Sequence, residues 1–113
     1  MKTRNLIGPA LDWAVANSRG IEVYSASGLY VYTHRDGEGW QYSYEPSRRW
    51  EQGGPIIEQE AIELAVYGNQ WRAVMYIMQE SIYQEGSTPL IAAMRCYVAS
   101  KMGDEVDIPE ELK

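Results

Sequence analysis

Between residues 9 and 18 the apolar positions recur at helical spacing, with Leu11, Ala14, Val15 and Ser18 on one face. Pro9 suits a first helical turn, and Gly20 can take the left-handed conformation that closes a helix. A helix is therefore expected from Pro9 to Ser18. Trp13 lies off that stripe, beside Leu6, Pro9 and Ala10, and is expected to pack there. The period then changes to two. Ile21 and Val23 alternate with Glu22 and Tyr24, and Leu29 and Val31 alternate with Tyr30 and Tyr32. Joined through Ser25-Ala-Ser-Gly28, these runs predict a β-hairpin with its aliphatic face inward and a tyrosine ladder outside.

From Arg35 to Gly54 the pattern loosens. Asp36-Gly37 and Gly39 signal turns, and Trp40, Tyr42 and Tyr44 fit a short strand ended by Glu45-Pro46-Ser47. The connection from there to Pro55 reads as irregular, and long ordered loops in compact domains often carry function. Pro55 is expected to open a short helical turn reaching about Glu60. The run Ala61 to Tyr67 fits either period. The turn pair Gly68-Asn69, followed by Trp71 to Met78, decides for a second hairpin whose later strand is apolar on both faces and hence central. The polar stretch Gln79 to Ser87 reads as a loop.

The last helix is the clearest element, with Thr88 as N-cap, Pro89 at the first position and Gly103 beyond the end. Leu90, Ile91, Met94, Tyr97, Val98 and Met102 form its apolar face. Ala92, Cys96, Ala99 and Gly103 form a stripe of small residues that admits a sheet, another helix or a second copy of the chain. Together these elements predict a single α+β domain over residues 1–103. It has a mostly antiparallel sheet of about four or five strands, packed by an N-terminal and a C-terminal helix. Residues 104–113 read as a solvated acidic tail.

With 113 residues, 45% of them hydrophobic, the chain can bury one core without disulfide or metal staples. A net charge of -6 with only ten Lys and Arg argues against a polynucleotide partner. No run is long and apolar enough for a membrane span, and the basic N-terminus lacks the apolar stretch of a secretion signal. The single cysteine, Cys96, excludes an internal disulfide, and a reducing cytoplasm is the expected compartment. Nine Tyr and four Trp without any Phe suit half-buried surfaces that meet a ligand or partner.

Four blocks occur in order: Leu11-Asp-Trp-Ala-Val-Ala16, Tyr44-Glu-Pro-Ser47, Trp50-Glu-Gln-Gly-Gly-Pro-Ile-Ile-Glu58, and Thr88-Pro-Leu-Ile-Ala-Ala-Met-Arg-Cys-Tyr-Val-Ala-Ser-Lys-Met-Gly-Asp-Glu-Val106. In these blocks the chain resembles the NinX-like family of tailed-phage and prophage proteins. The resemblance implies a phage accessory protein encoded near replication and late-control genes. It implies no particular activity and no agreed site residues. Relatives tend to carry Thr followed by Asn or Asp before the tryptophan, where this chain has Arg48-Arg49, so no Asx role carries over to that point.

The Trp50–Glu58 block also carries the candidate chemistry. Free N–H groups at a helix start attract anions, and Gly53 and Gly54 would let a ligand approach the backbone up to Ile56 and Ile57. Arg48 and Arg49 could pair with phosphate or carboxylate, and Trp50 could stack on a flat group. This suggests a small anionic, nucleotide-like ligand. The alternative is structural: a tight turn at Gly53, relief of crowding at Gly54 before Pro55, and Trp50 as a core plug, with Glu58 and Glu60 opposing an anion. A rival function is an adaptor or inhibitor that grips a host or phage protein through an acidic, tyrosine-rich surface. A homodimer through Ala92, Cys96 and Ala99 is a third. No nucleophile elbow, P-loop, metal motif or dinucleotide fingerprint occurs, so neither catalysis nor a cofactor is expected.

Overall fold

A computed structural model describes the backbone of residues 1–26, 30–34 and 41–113, with side chains for 1–24 and 43–113. The helices are α1 (Gly8–Arg19), α2 (Trp50–Gln59) and α3 (Pro89–Met102). The strands are β1 (Val23–Ala26), β2 (Tyr30–His34), β3 (Gln41–Ser43), β4 (Glu63–Tyr67), β5 (Gln70–Ile77) and β6 (Glu80–Gly86). The α+β class and the two enclosing helices are as expected. The strands, however, form two antiparallel sheets of three, β1-β2-β3 and β4-β5-β6, in place of one sheet of four or five.

Helix α1 buries Ala10, Leu11, Ala14, Val15 and Ala16, the expected stripe slightly widened, and Trp13 packs against the same core. It ends at Gly20 with φ 71. The first hairpin pairs Val23 with Thr33 and Tyr24 with Tyr32, and β2 pairs onward with β3. The Tyr30 and Tyr32 side chains of the proposed ladder, Trp40 and the Asp36-Gly37 turn lie outside the described residues.

Gly68 takes φ 65 between Tyr67 and Gln70, so the glycine-first turn joins β4 to the central strand β5. The expected loop from Gln79 to Ser87 is instead strand β6, in register from Ile77 opposite Glu80 to Trp71 opposite Gly86. Its turn, Met78-Gln79, has φ 50 and 72, the left-handed values of a type I′ hairpin formed without glycine or asparagine. Neither turn residue advertises a hairpin, and Ile82 is the one aliphatic residue in the strand. Those two omissions hide it from a pattern search.

Helix α3 lies across the inner face of β4-β5-β6. Thr88 Oγ1 accepts the Ile91 N–H at 3.1 Å, and Leu90 to Met94, Cys96, Tyr97 and Val98 are buried. The small stripe meets the sheet: the Cys96 thiol points at the Ile82 carbonyl, 3.4 Å away. Burial pushes that thiol up to about 11, which suits an inert core residue. Because Ala92 and Cys96 are fully enclosed, this stripe is not available for dimerisation.

Residues 104–113 correct another expectation. Their carboxylates are exposed, but Val106, Ile108 and Leu112 are buried. The segment is held by Lys2 pairing with Glu105, by Val106 N–H donating to Met1 O, and by Thr3 N–H donating to Asp104 O. The apolar residues between the acids supply the driving force that a reading of charge alone overlooks. No helix among the described residues is long and apolar enough to cross a membrane.

Candidate functional site

Helix α2 starts at Trp50, five residues before the expected Pro55, and this changes the chemistry of the block. Gly53 and Gly54 lie within a helix, and neither takes a positive φ. The first-turn donors near Gly53 are spent inside the helix, since the Gln52 and Gly53 N–H groups both donate to Arg49 O. A flexible anion-binding backbone from Gly54 to Ile57 is therefore absent. Ile56 is core, and Ile57 packs against it.

The glycines have structural reasons. A Cβ on Gly53 would lie 2.3 Å from the Pro46 carbonyl oxygen and 2.6 Å from Leu90 Cδ2, so α2 reaches the Pro46 turn and α3 only without a side chain there. Gly54 precedes Pro55 inside the helix, where a Cβ would crowd the proline ring. Trp50, expected as a core plug or stacking plate, is 54% exposed. With Ser47, Arg48 and residues Thr88 to Ile91 it lines a hollow of about 260 Å³.

The two arginines face inward partners. Arg48 donates to Asp12 Oδ2 at 3.1 Å and lies 3.2 Å from Glu45 Oε1. Arg49 Nε pairs with Glu45 Oε2, and its Nη1 lies 3.6 Å from Glu51. The residue that sequence reasoning missed is Asp12, on α1, which is fully buried and organises this corner. Its Oδ1 accepts the Ser47 N–H at 2.9 Å, bracing the turn before α2. A lone acid in the apolar run Leu11-Asp-Trp-Ala-Val-Ala16 was the available signal. Burial raises the Asp12 pKa, opposed by the Ser47 and Arg48 contacts. The Arg49 guanidinium beside Glu45 holds that carboxyl below the usual range. Gln52 completes the corner by donating to Ser43 O at 2.9 Å and accepting the Glu45 N–H. With both cations already paired, the corner is suited to fastening α1, β3 and α2 together, and an anion would have to displace carboxylates.

A different cluster lies on the outer face of β4-β5-β6. The register puts Ala65, Tyr67, Arg72, Val74, Tyr76 and Tyr83 on the side opposite α3. The Arg72 guanidinium sits 3.6 Å from the Tyr67 ring centroid and 4.4 Å from that of Tyr83, and reaches Glu85 at 3.6 Å. Tyr67, Tyr76 and Tyr83 are each more than half exposed. His34 ends β2, and its side chain is outside the described residues. Among the described residues no group of three or more His, Cys, Asp or Glu could hold a metal ion.

Comparison with known proteins agrees with the four ordered blocks. A search of curated proteins finds no match. The family model described as bacteriophage P22 NinX matches residues 2–101, spanning all three helices nearly to the end of α3. The chain belongs to the phage P22 NinX family.

Proposed function

We propose that this phage accessory protein works by binding, without catalysis, and that it docks a basic protein surface against the outer face of β4-β5-β6. The observation that supports this reading is Arg72 stacked between Tyr67 and Tyr83, with Tyr76 65% exposed beside them. Tyrosine and arginine are enriched at the centres of protein interfaces, where their large rigid surfaces lose little entropy on contact. Glu63 and Glu85 lie on the face, and the whole chain carries -6, so a partner rich in Lys and Arg is complementary. Its cations would stack on the tyrosine rings. The Trp50–Glu58 block fits an anion less well, because Arg48 and Arg49 are neutralised within the fold.

A photo-crosslinker placed at Tyr76, with a control at Glu58 on exposed α2, tests this in cells producing the protein. Crosslinks to one basic protein from position 76 alone are expected. With that partner purified, affinity should fall as salt rises, and Tyr76→Ser should weaken binding about tenfold or more. Equal crosslinking from both positions, or unchanged affinity in Tyr76→Ser, overturns the proposal.

A further inference from the structure

A cleft larger than the hollow beside Trp50 lies elsewhere, between the N-terminal segment, β6 and α3. Its volume is about 530 Å³, within the range of small-molecule sites. Lys2, Arg4 and Arg95 line it, which gathers three of the ten Lys and Arg residues of an acidic chain into one place. Lys2 is paired with Glu105 at 2.8 Å. Arg4 makes no ion pair among the described residues.

Arg95 is the unusual member. It is half-buried on α3, and its Nε and Nη1 donate to the carbonyls of Leu6 and Glu85, both at 2.8 Å. Among the described residues it has no carboxylate partner. Two neutral carbonyls orient the guanidinium without neutralising it, and most of its N–H donors remain unused. Burial lowers its pKa, as expected for a cation that lacks a counter-charge. Two acids share the lining. Glu85 is held by Arg72 at 3.6 Å, while Asp104 is exposed and has no ion-pair partner among the described residues. Asn5, Gln70 and Gln84 add amide donors and acceptors, and the Tyr83 ring forms one wall.

We infer that this cleft binds a small phosphate-bearing ligand of mononucleotide size, with the phosphate on Arg95 and Arg4 and a planar ring against Tyr83. A pre-oriented guanidinium matches a phosphate's paired oxygens. The amides can read polar atoms at the ring edge. Asp104, facing solvent, sets the preference for a ligand whose charge is confined to one end. This site adjoins the protein-docking face, sharing Tyr83 and Glu85 with it, while Tyr76 takes no part in the cleft.

Amide-resolved NMR titration of the full chain with inorganic phosphate, AMP and adenosine tests the assignment. Phosphate and AMP should give saturable shifts around Leu6, Glu85 and Arg95 at concentrations up to about 20 mM, with AMP about tenfold tighter than phosphate. Adenosine should bind more weakly than AMP. Arg95→Ala gives up two carbonyl contacts and risks the fold, so the decisive variants are Arg4→Ala, which removes no side-chain bond among the described residues, and Arg95→Lys, which keeps the charge. Each should weaken AMP binding by about five- to tenfold. The inference is overturned by the absence of saturable shifts, by AMP binding no tighter than phosphate, or by AMP affinity unchanged in both folded variants.

Discussion

Asp12 and Glu45 share Arg48 and respond to acid in opposite ways. Burial raises the Asp12 pKa above 3.8, so its charge costs stability at neutral pH, and that cost is relieved as pH falls through the folded value. Glu45 is held below 4.5, chiefly by Arg49. Its contribution is complete above 4.5 and is lost as pH falls through the lower folded value. Side-chain carboxyl NMR should therefore find Asp12 titrating above 3.8 and Glu45 below 4.5. Shifts in the opposite directions would refute the arrangement. Asp12→Ala strands the Ser47 N–H and uncouples Arg48, with an expected loss of about 2–3 kcal/mol in denaturant melts. Asp12→Asn can still accept from Ser47 and should lose about 1 kcal/mol. Sequence alone suggested Arg48 and Arg49 as ligand groups because they adjoin glycines. Their true partners, Asp12 and Glu45, become visible only once α1 and the Pro46 turn are adjacent in space.

Helix α2 and strand β6 each break a local rule. Pro55 sits within α2 and withdraws the N–H that would reach the Glu51 carbonyl. Proline is read from sequence as a helix opener, and that habit set the expected start five residues late. Pro55→Ala should raise stability by up to about 1 kcal/mol, while Gly53→Ala should lower it by about 1–3 kcal/mol through collision with Pro46 and Leu90. Thermal melts of the two variants should move in opposite directions. The Met78-Gln79 turn holds two ordinary residues in left-handed conformations. Asn-Gly at these positions should stabilise the hairpin by about 1–2 kcal/mol with β6 intact. No gain would argue against a type I′ turn there.

For the molecule as a whole, the elements with strong caps and clean periods were legible: α1, the first hairpin, the β4-β5 hairpin and α3. These depend on neighbours a few residues away. The division into two sheets, the docking of residues 104–113 and the Arg95 cleft depend on contacts between distant segments. Arg95 contacts the carbonyl of Leu6, eighty-nine residues earlier, and no local pattern records that. The family was legible because its four blocks are contiguous stretches of sequence, which fold geometry does not scramble.

The packing of α1 against α3 also has a consequence in time. Leu11, Ala14 and Val15 are buried in a core shared with Ile91, Met94 and Val98, which are added to the chain some eighty residues later. A ribosome adding about 5–20 residues per second leaves the first helix without its partner for several seconds. During that interval its apolar face is open to chaperones or to other nascent copies. By contrast, β4, β5, β6 and α3 emerge consecutively and can assemble from local contacts. Maturation should thus run backwards along the chain, the late-made half serving as the template on which the early-made half settles.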